Sequence, residues 1–189
     1  MVMFNVTKMG LPSKEEIMLK LFFNEPSKQW HFKDIVTKAK ISKQQANKWL
    51  KRFEKEKLII HKKPMEKMPY FQANFEHLNY KNKKKIYALN RMYDTGLLKR
   101  LQSLEKSKAV VIFGSFAKSD WHTGSDIDVF ILGNPKDLRY GTLWQGREVQ
   151  VHAFKTKKDL KKIKSGLMQN VINGYFVKGD VQDLVEVKV

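Results

Sequence analysis

The chain of 189 residues contains no cysteine. That excludes a disulfide framework and any thiolate metal site. No apolar run approaches the ~18 residues of a membrane span, and the first ten residues lack the layout of a signal peptide. A cytoplasmic protein is therefore expected. Acidic residues are scarce: 19 Asp and Glu stand against 37 Lys and Arg, a formal net charge of +18. A field of that sign favours polyanionic partners, nucleic acid above all. The imbalance is uneven, with 20 basic against 8 acidic residues in positions 1–90 and 17 against 11 in the remainder. No internal repeat is present, and low complexity is confined to short lysine clusters. What the chain does have is hydrophobic residues at 42% and aromatics at 12%, enough for packed cores.

The first half reads as three short helices and a hairpin. Ser13 and Glu16 have the spacing of a capping box, followed by an apolar face at Ile17, Met18, Leu21 and Phe22. Phe32, Ile35, Val36 and Ala39 mark a second helix. Ser42 and Gln45 form another capping box, opening a helix with Ala46, Trp49, Leu50 and Phe53 on one face. Leu58–His61 and Tyr70–Ala73 are strand candidates, joined by a turn rich in proline and lysine. Over about residues 11–75 this order resembles the winged helix-turn-helix, a common DNA-binding module. The resemblance implies a third helix that reads DNA with Lys43, Gln44, Asn47, Lys48, Lys51 and Arg52, and a wing that contacts backbone with Lys62 and Lys63.

Residues 79–105 show helical spacing at Ile86, Leu89, Tyr93, Leu97, Leu101 and Leu104, with Thr95-Gly96 as a break. A stripe that long needs a partner surface, so a homodimer is one expectation. Further on, Leu160, Ile163 and Leu167 predict a helix near 157–169.

Two apolar runs dominate the second half. Val110–Phe113 ends in Gly114-Ser115; ten residues later Asp126-Ile127-Asp128 opens Val129–Leu132. Asp126 and Asp128, two apart on a strand, share a face at a Cα separation of about 6.5–7 Å. Paired carboxylates beside a phosphate-approaching Gly-Ser turn answer what Mg²⁺ and a nucleoside triphosphate require. The pattern resembles that of the minimal nucleotidyltransferases of the DNA polymerase β-like superfamily. The resemblance implies Mg²⁺ (or Mn²⁺) on Asp126 and Asp128, and an NTP, ATP by preference, held by Gly114, Ser115, Lys118 and Ser125. It also implies exposed amides at the start of the helix after Gly114. The acceptor is a hydroxyl of a protein, such as a partner toxin, of a small molecule or of RNA.

One position departs from that family. Its third carboxylate falls between apolar residues of a later strand, and here Val149-Gln150-Val151 puts glutamine there. Gln is no general base and a poor ligand, so Glu148, on the same strand face, is the candidate catalytic stand-in. Trp121 and His122, between the two motifs, are expected to cover a core edge. The expected class is α+β: a winged-helix domain (1–78), a helical connector (79–105) and a small nucleotidyltransferase α/β domain with a mixed sheet (106–189). The alternative is a DNA-binding regulator whose second domain senses nucleotide or is inactive.

Overall fold

A computed structural model describes residues 13–135, 146–161 and 163–185. The chain divides into two compact units, residues 1–74 and 75–189. The segment expected as a separate connector thus falls inside the second unit.

In the first unit α1 (Lys14–Asn24) starts where the Ser13 hydroxyl accepts a hydrogen bond from the Glu16 amide. It buries Met18, Leu19, Phe22 and Phe23. The face is therefore turned from the predicted one, and Ile17 and Leu21 are only half-buried. α2 (Phe32–Ala39) stops at Lys40, whose backbone is left-handed at φ 50°. α3 (Lys43–Lys55) opens with both halves of the Ser42/Gln45 capping box and buries Ala46, Leu50 and Phe53. Strands β1 (Ile59–Lys62) and β2 (Tyr70–Ala73) pair antiparallel. Trp30 is fully buried and exchanges two backbone bonds of 2.8 Å with Phe71, which extends the hairpin by one bridge.

The second unit is built on a four-stranded mixed sheet. Its elements are α4 (Leu78–Asp94), α5 (Leu97–Gln102), β3 (Ser107–Phe113), α6 (Gly114–Lys118), β4 (Ile127–Gly133), β5 (Val149–Phe154), α7 (Lys157–Leu160), α8 (Ser165–Ile172), β6 (Tyr175–Lys178) and α9 (Val181–Leu184). The strand order is β5-β4-β3-β6, with β4 and β5 parallel and the other pairs antiparallel. β3 and β4 are buried along nearly their whole length, because both faces of the sheet are covered. On one face Ala109, Val111, Phe113, Phe130 and Leu132 pack with Leu160, Val171 and Leu184. On the other, Ile112 lies beside Ala88 and Met92 of α4 and Phe116 of α6.

Two expectations need correction. In α4 the buried face is Tyr80, Lys84, Tyr87, Ala88 and Met92, while Ile86 and Tyr93 are 56% and 74% exposed. A lysine belongs to the core face, so a count of apolar residues points to the wrong side of the helix. From Leu97 onward the predicted stripe is buried, with Leu97, Leu101 and Leu104 inside. The break before it is real: Gly96 caps α5 at φ 79°, where a β-carbon would be strained. The helix expected near 157–169 is two pieces, α7 and α8. No helix among the described residues is long and apolar enough to cross a membrane.

Candidate functional site

β3 delivers Phe113 directly opposite Asp128 on β4. The next residue, Gly114, turns the chain at φ 68°, and a β-carbon there would overlap Oδ2 of Asp128. The backbone angle calls for glycine, and any side chain there would have to push the Asp128 carboxylate aside. Ser115 follows, half-buried, and its carbonyl accepts the Asp120 amide at 2.9 Å. The helix they open, α6, has only five residues and ends at left-handed Ser119. One turn carries little dipole, so the anion site expected at its start contributes less than sequence spacing implied. Lys118 is exposed in the last turn of α6.

Asp126 is exposed just before β4, and Asp128 is half-buried within it. Burial raises the Asp128 carboxyl pKa; the His152 ring opposes that rise and the Asp126 charge adds to it. The parallel neighbour β5 places exposed Gln150 in register with Asp128. Glutamine therefore occupies the place beside the carboxylate pair. Glu148 is exposed, and its carbonyl accepts the Ile127 amide at 2.9 Å, which sets it level with Asp126 rather than Asp128.

His152 joins this face, which sequence reasoning missed. Its Nε2 lies 3.9 Å from Oδ1 of Asp128, and its ring stands edge-on to Phe113 at 5.3 Å between centroids. It lies two residues after Gln150 on β5, and the pairing of β5 with β4 puts both on the face of Asp128; nothing in the spacing gave it a role.

The loop between the two motifs is held by two buried cations, also missed. Arg147, 7% exposed, donates from Nη1 to the carbonyls of His122 and Ser125, both at 2.6 Å. Its guanidinium lies near the rings of Trp121 and Phe116, at 5.3 and 5.5 Å. Desolvation lowers its pKa, while Tyr87 and Asp126 act the other way. Lys84, 1% exposed, donates to the Trp121 carbonyl at 2.5 Å, with its ammonium 4.5 Å from the Trp121 ring. Trp121 is fully buried, stacked on Phe116 at 5.4 Å and on Tyr87 at 6.2 Å. It is core, whereas His122 is exposed. The Ser125 hydroxyl accepts the His122 amide at 2.9 Å, so this side chain closes the turn that leads into Asp126.

Among the described residues, no three or more His, Asp or Glu side chains converge as a ready-made metal site. Two carboxylates two residues apart beside a glycine turn nonetheless fit an ion such as Mg²⁺, which takes one or two carboxylates together with substrate phosphates.

In the first unit Lys43, Gln44, Asn47, Lys48 and Lys51 are exposed along α3, as are Lys62 and Lys63 at the hairpin. Arg52 is also exposed but engaged: Nε meets Glu56 at 2.6 Å and Nη1 meets Glu15 at 3.5 Å. The Glu56 hydrogen bond raises its pKa, with the charges of Glu15 and Glu56 adding to it.

No curated protein and no solved structure matches this chain significantly. Residues 95–179, which hold the whole Gly-Ser and Asp-x-Asp arrangement and less than half of the chain, match the family model described as a nucleotidyltransferase domain.

Proposed function

We propose that the second unit transfers a nucleoside monophosphate from an NTP, with ATP as the donor, to a hydroxyl acceptor. The acceptor oxygen attacks the α-phosphorus, the bond from that phosphorus to the bridging oxygen breaks, and pyrophosphate leaves; the hydroxyl proton passes to solvent. Gly114 lets the backbone approach the triphosphate and Ser115 donates to its oxygens. Asp126 and Asp128 would hold Mg²⁺ or Mn²⁺. The ion, when bound, neutralises charge building on the phosphates. The observation that carries this reading is the contact of Gly114 with the Asp128 carboxylate, because it joins the phosphate turn to the metal carboxylates at one point. Acceptors compatible with it are a protein side chain such as that of a partner toxin, a small molecule or an RNA end. Lys118, Ser125 and Glu148 are assigned only supporting parts.

The first unit is proposed to be a winged helix that binds DNA through α3 and the hairpin. Its order of three helices and an antiparallel hairpin, with a basic exposed face on α3, supports that reading.

A second reading is favoured by Gln150, which stands in register with Asp128. On that reading the protein is a DNA-binding regulator whose second unit binds nucleotide without turnover. Incubation with α-labelled ATP, a divalent ion and candidate acceptors separates the two. Label transferred by the wild type and lost in Asp128→Asn supports the enzyme. Equal labelling by both proteins rules out the assigned site, and tight nucleotide binding without transfer supports the regulator.

A further inference from the structure

Nε2 of His152 is buried and has no hydrogen-bond partner among the described residues. Such an atom is costly to leave unmatched. Its nearest charged neighbour, Oδ1 of Asp128, is 3.9 Å away, too far for a hydrogen bond. That separation does suit two ligands of one ion. With bonds of about 2.0–2.2 Å, donors on a shared ion lie roughly 2.9–4.3 Å apart. The ring also packs on one side against the sheet. Phe113 stands edge-on against it, and Phe113 pairs with Asp128 in the sheet. Imidazole and carboxylate thus face each other from neighbouring strands. Gln150, two residues earlier on β5 and in register with Asp128, is exposed and carries no anionic donor.

We propose that His152 is a metal ligand, so that the ion sits between the carboxylate of Asp128 and the Nε2 of His152. This rests on the nucleotidyl-transfer reading of the same site and specifies its metal. A nitrogen donor changes which ion is preferred. Mg²⁺ is a hard ion that favours oxygen, whereas Mn²⁺ and Co²⁺ accept imidazole more readily and bind mixed sites more tightly. The site then selects a transition-metal ion over Mg²⁺. His152 adds a nitrogen donor beside the Asp128 carboxylate without restoring a general base.

The test uses Mn²⁺ as the probe on the full chain, with a non-hydrolysable ATP analogue present. Bound Mn²⁺ is read by electron spin-echo spectroscopy, which detects directly coordinated imidazole nitrogen. The expected result is a ¹⁴N coupling in the wild type that changes to a ¹⁵N pattern when histidine alone is labelled with ¹⁵N. It should vanish in His152→Gln and persist in His122→Gln. Mn²⁺ affinity should fall about tenfold or more in His152→Gln, with a smaller loss for Mg²⁺. The labelling arm needs no variant, so a folding defect in His152→Gln does not rescue the idea. Mn²⁺ that binds, needs Asp128 and shows no histidine coupling overturns the His152 assignment and leaves the carboxylate site standing. Mn²⁺ binding that is unchanged in Asp128→Asn overturns the underlying site as well.

Discussion

The ammonium of Lys84 donates to the carbonyl of Trp121 at 2.5 Å from a position 1% exposed. Its pKa is lowered to about 7, first by burial and also by the Arg147 charge, with Asp120 acting in the opposite direction. In the unfolded chain the same amine holds its proton up to about pH 10.4. Between those values the unfolded state binds more protons, so folding stability rises with pH. The cost of burying the charge is fully present below pH 7 and is relieved as pH climbs toward 10. Denaturant titrations of wild type and Lys84→Met at pH 6.5, 8 and 9.5 should show the wild type gaining on the variant, with a slope of at most about 1.4 kcal/mol per pH unit. A constant difference across that range would mean that Lys84 keeps its proton in the fold.

Arg147 does for the end of the loop what Lys84 does for its start. Its two bonds to the His122 and Ser125 carbonyls come from a charged donor in a desolvated place. Arg147→Met strands both carbonyls, and a loss of about 2–4 kcal/mol is expected. Arg147→Lys should recover only part, because a compact ammonium can donate to the carbonyls but does not reproduce the guanidinium's packing on the Trp121 and Phe116 rings. Thermal melts of the three proteins decide it; near-equal midpoints would show that the loop holds Asp126 without this residue.

How much of this was legible in the sequence depends on the type of signal. The placement of Gly114, Ser115, Asp126 and Asp128 was readable because each lies at or beside a strand end that an apolar run marks. Strands β3 and β4 were readable as apolar runs for the same reason. Lys84 was not. It lies in a run of lysines that looks like a solvated face, and only its position opposite Trp121 makes it core. Neither was His152: its distance to Asp128 depends on the parallel pairing of β4 with β5, which no local pattern encodes. The α4 face was misread because two exposed apolar residues, Ile86 and Tyr93, have helical spacing as good as that of the buried set.

Gly114→Ala tests the contact that joins the two motifs. It adds strain at φ 68° and pushes a methyl group into Asp128. Gly96→Ala is the matched control, with φ 79° and nothing within 4 Å of the added carbon. Both should lose about 1–3 kcal/mol of stability from backbone strain alone. Only Gly114→Ala should also lose the proposed nucleotidyl transfer, by about 100-fold, since displacing the carboxylate assigned to the metal by an ångström would cost about that much. Activity assays alongside melts separate the effects. Equal activity in the two variants would show that the Asp128 carboxylate tolerates displacement.

If the first unit binds DNA as proposed, its basic residues should divide into two kinds. Lys43, Lys48 and Lys51 are exposed on α3 with no acidic side chain in salt-bridge contact among the described residues, whereas Arg52 already bridges Glu15 and Glu56. A lysine that meets phosphate releases a counterion, so each contributes about 0.9 to the slope of log affinity against log salt. Replacing all three with Gln should flatten that slope by up to about 3. Arg52→Gln should change the slope by less than any one of them, because contact with DNA would first have to break its bridges. The full chain titrated into duplex DNA at 50, 100 and 200 mM salt reads both effects. A wild-type affinity that does not move with salt would remove the electrostatic basis of the DNA assignment, and an Arg52→Gln effect as large as that of the triple variant would place the contact on the Arg52 side of α3.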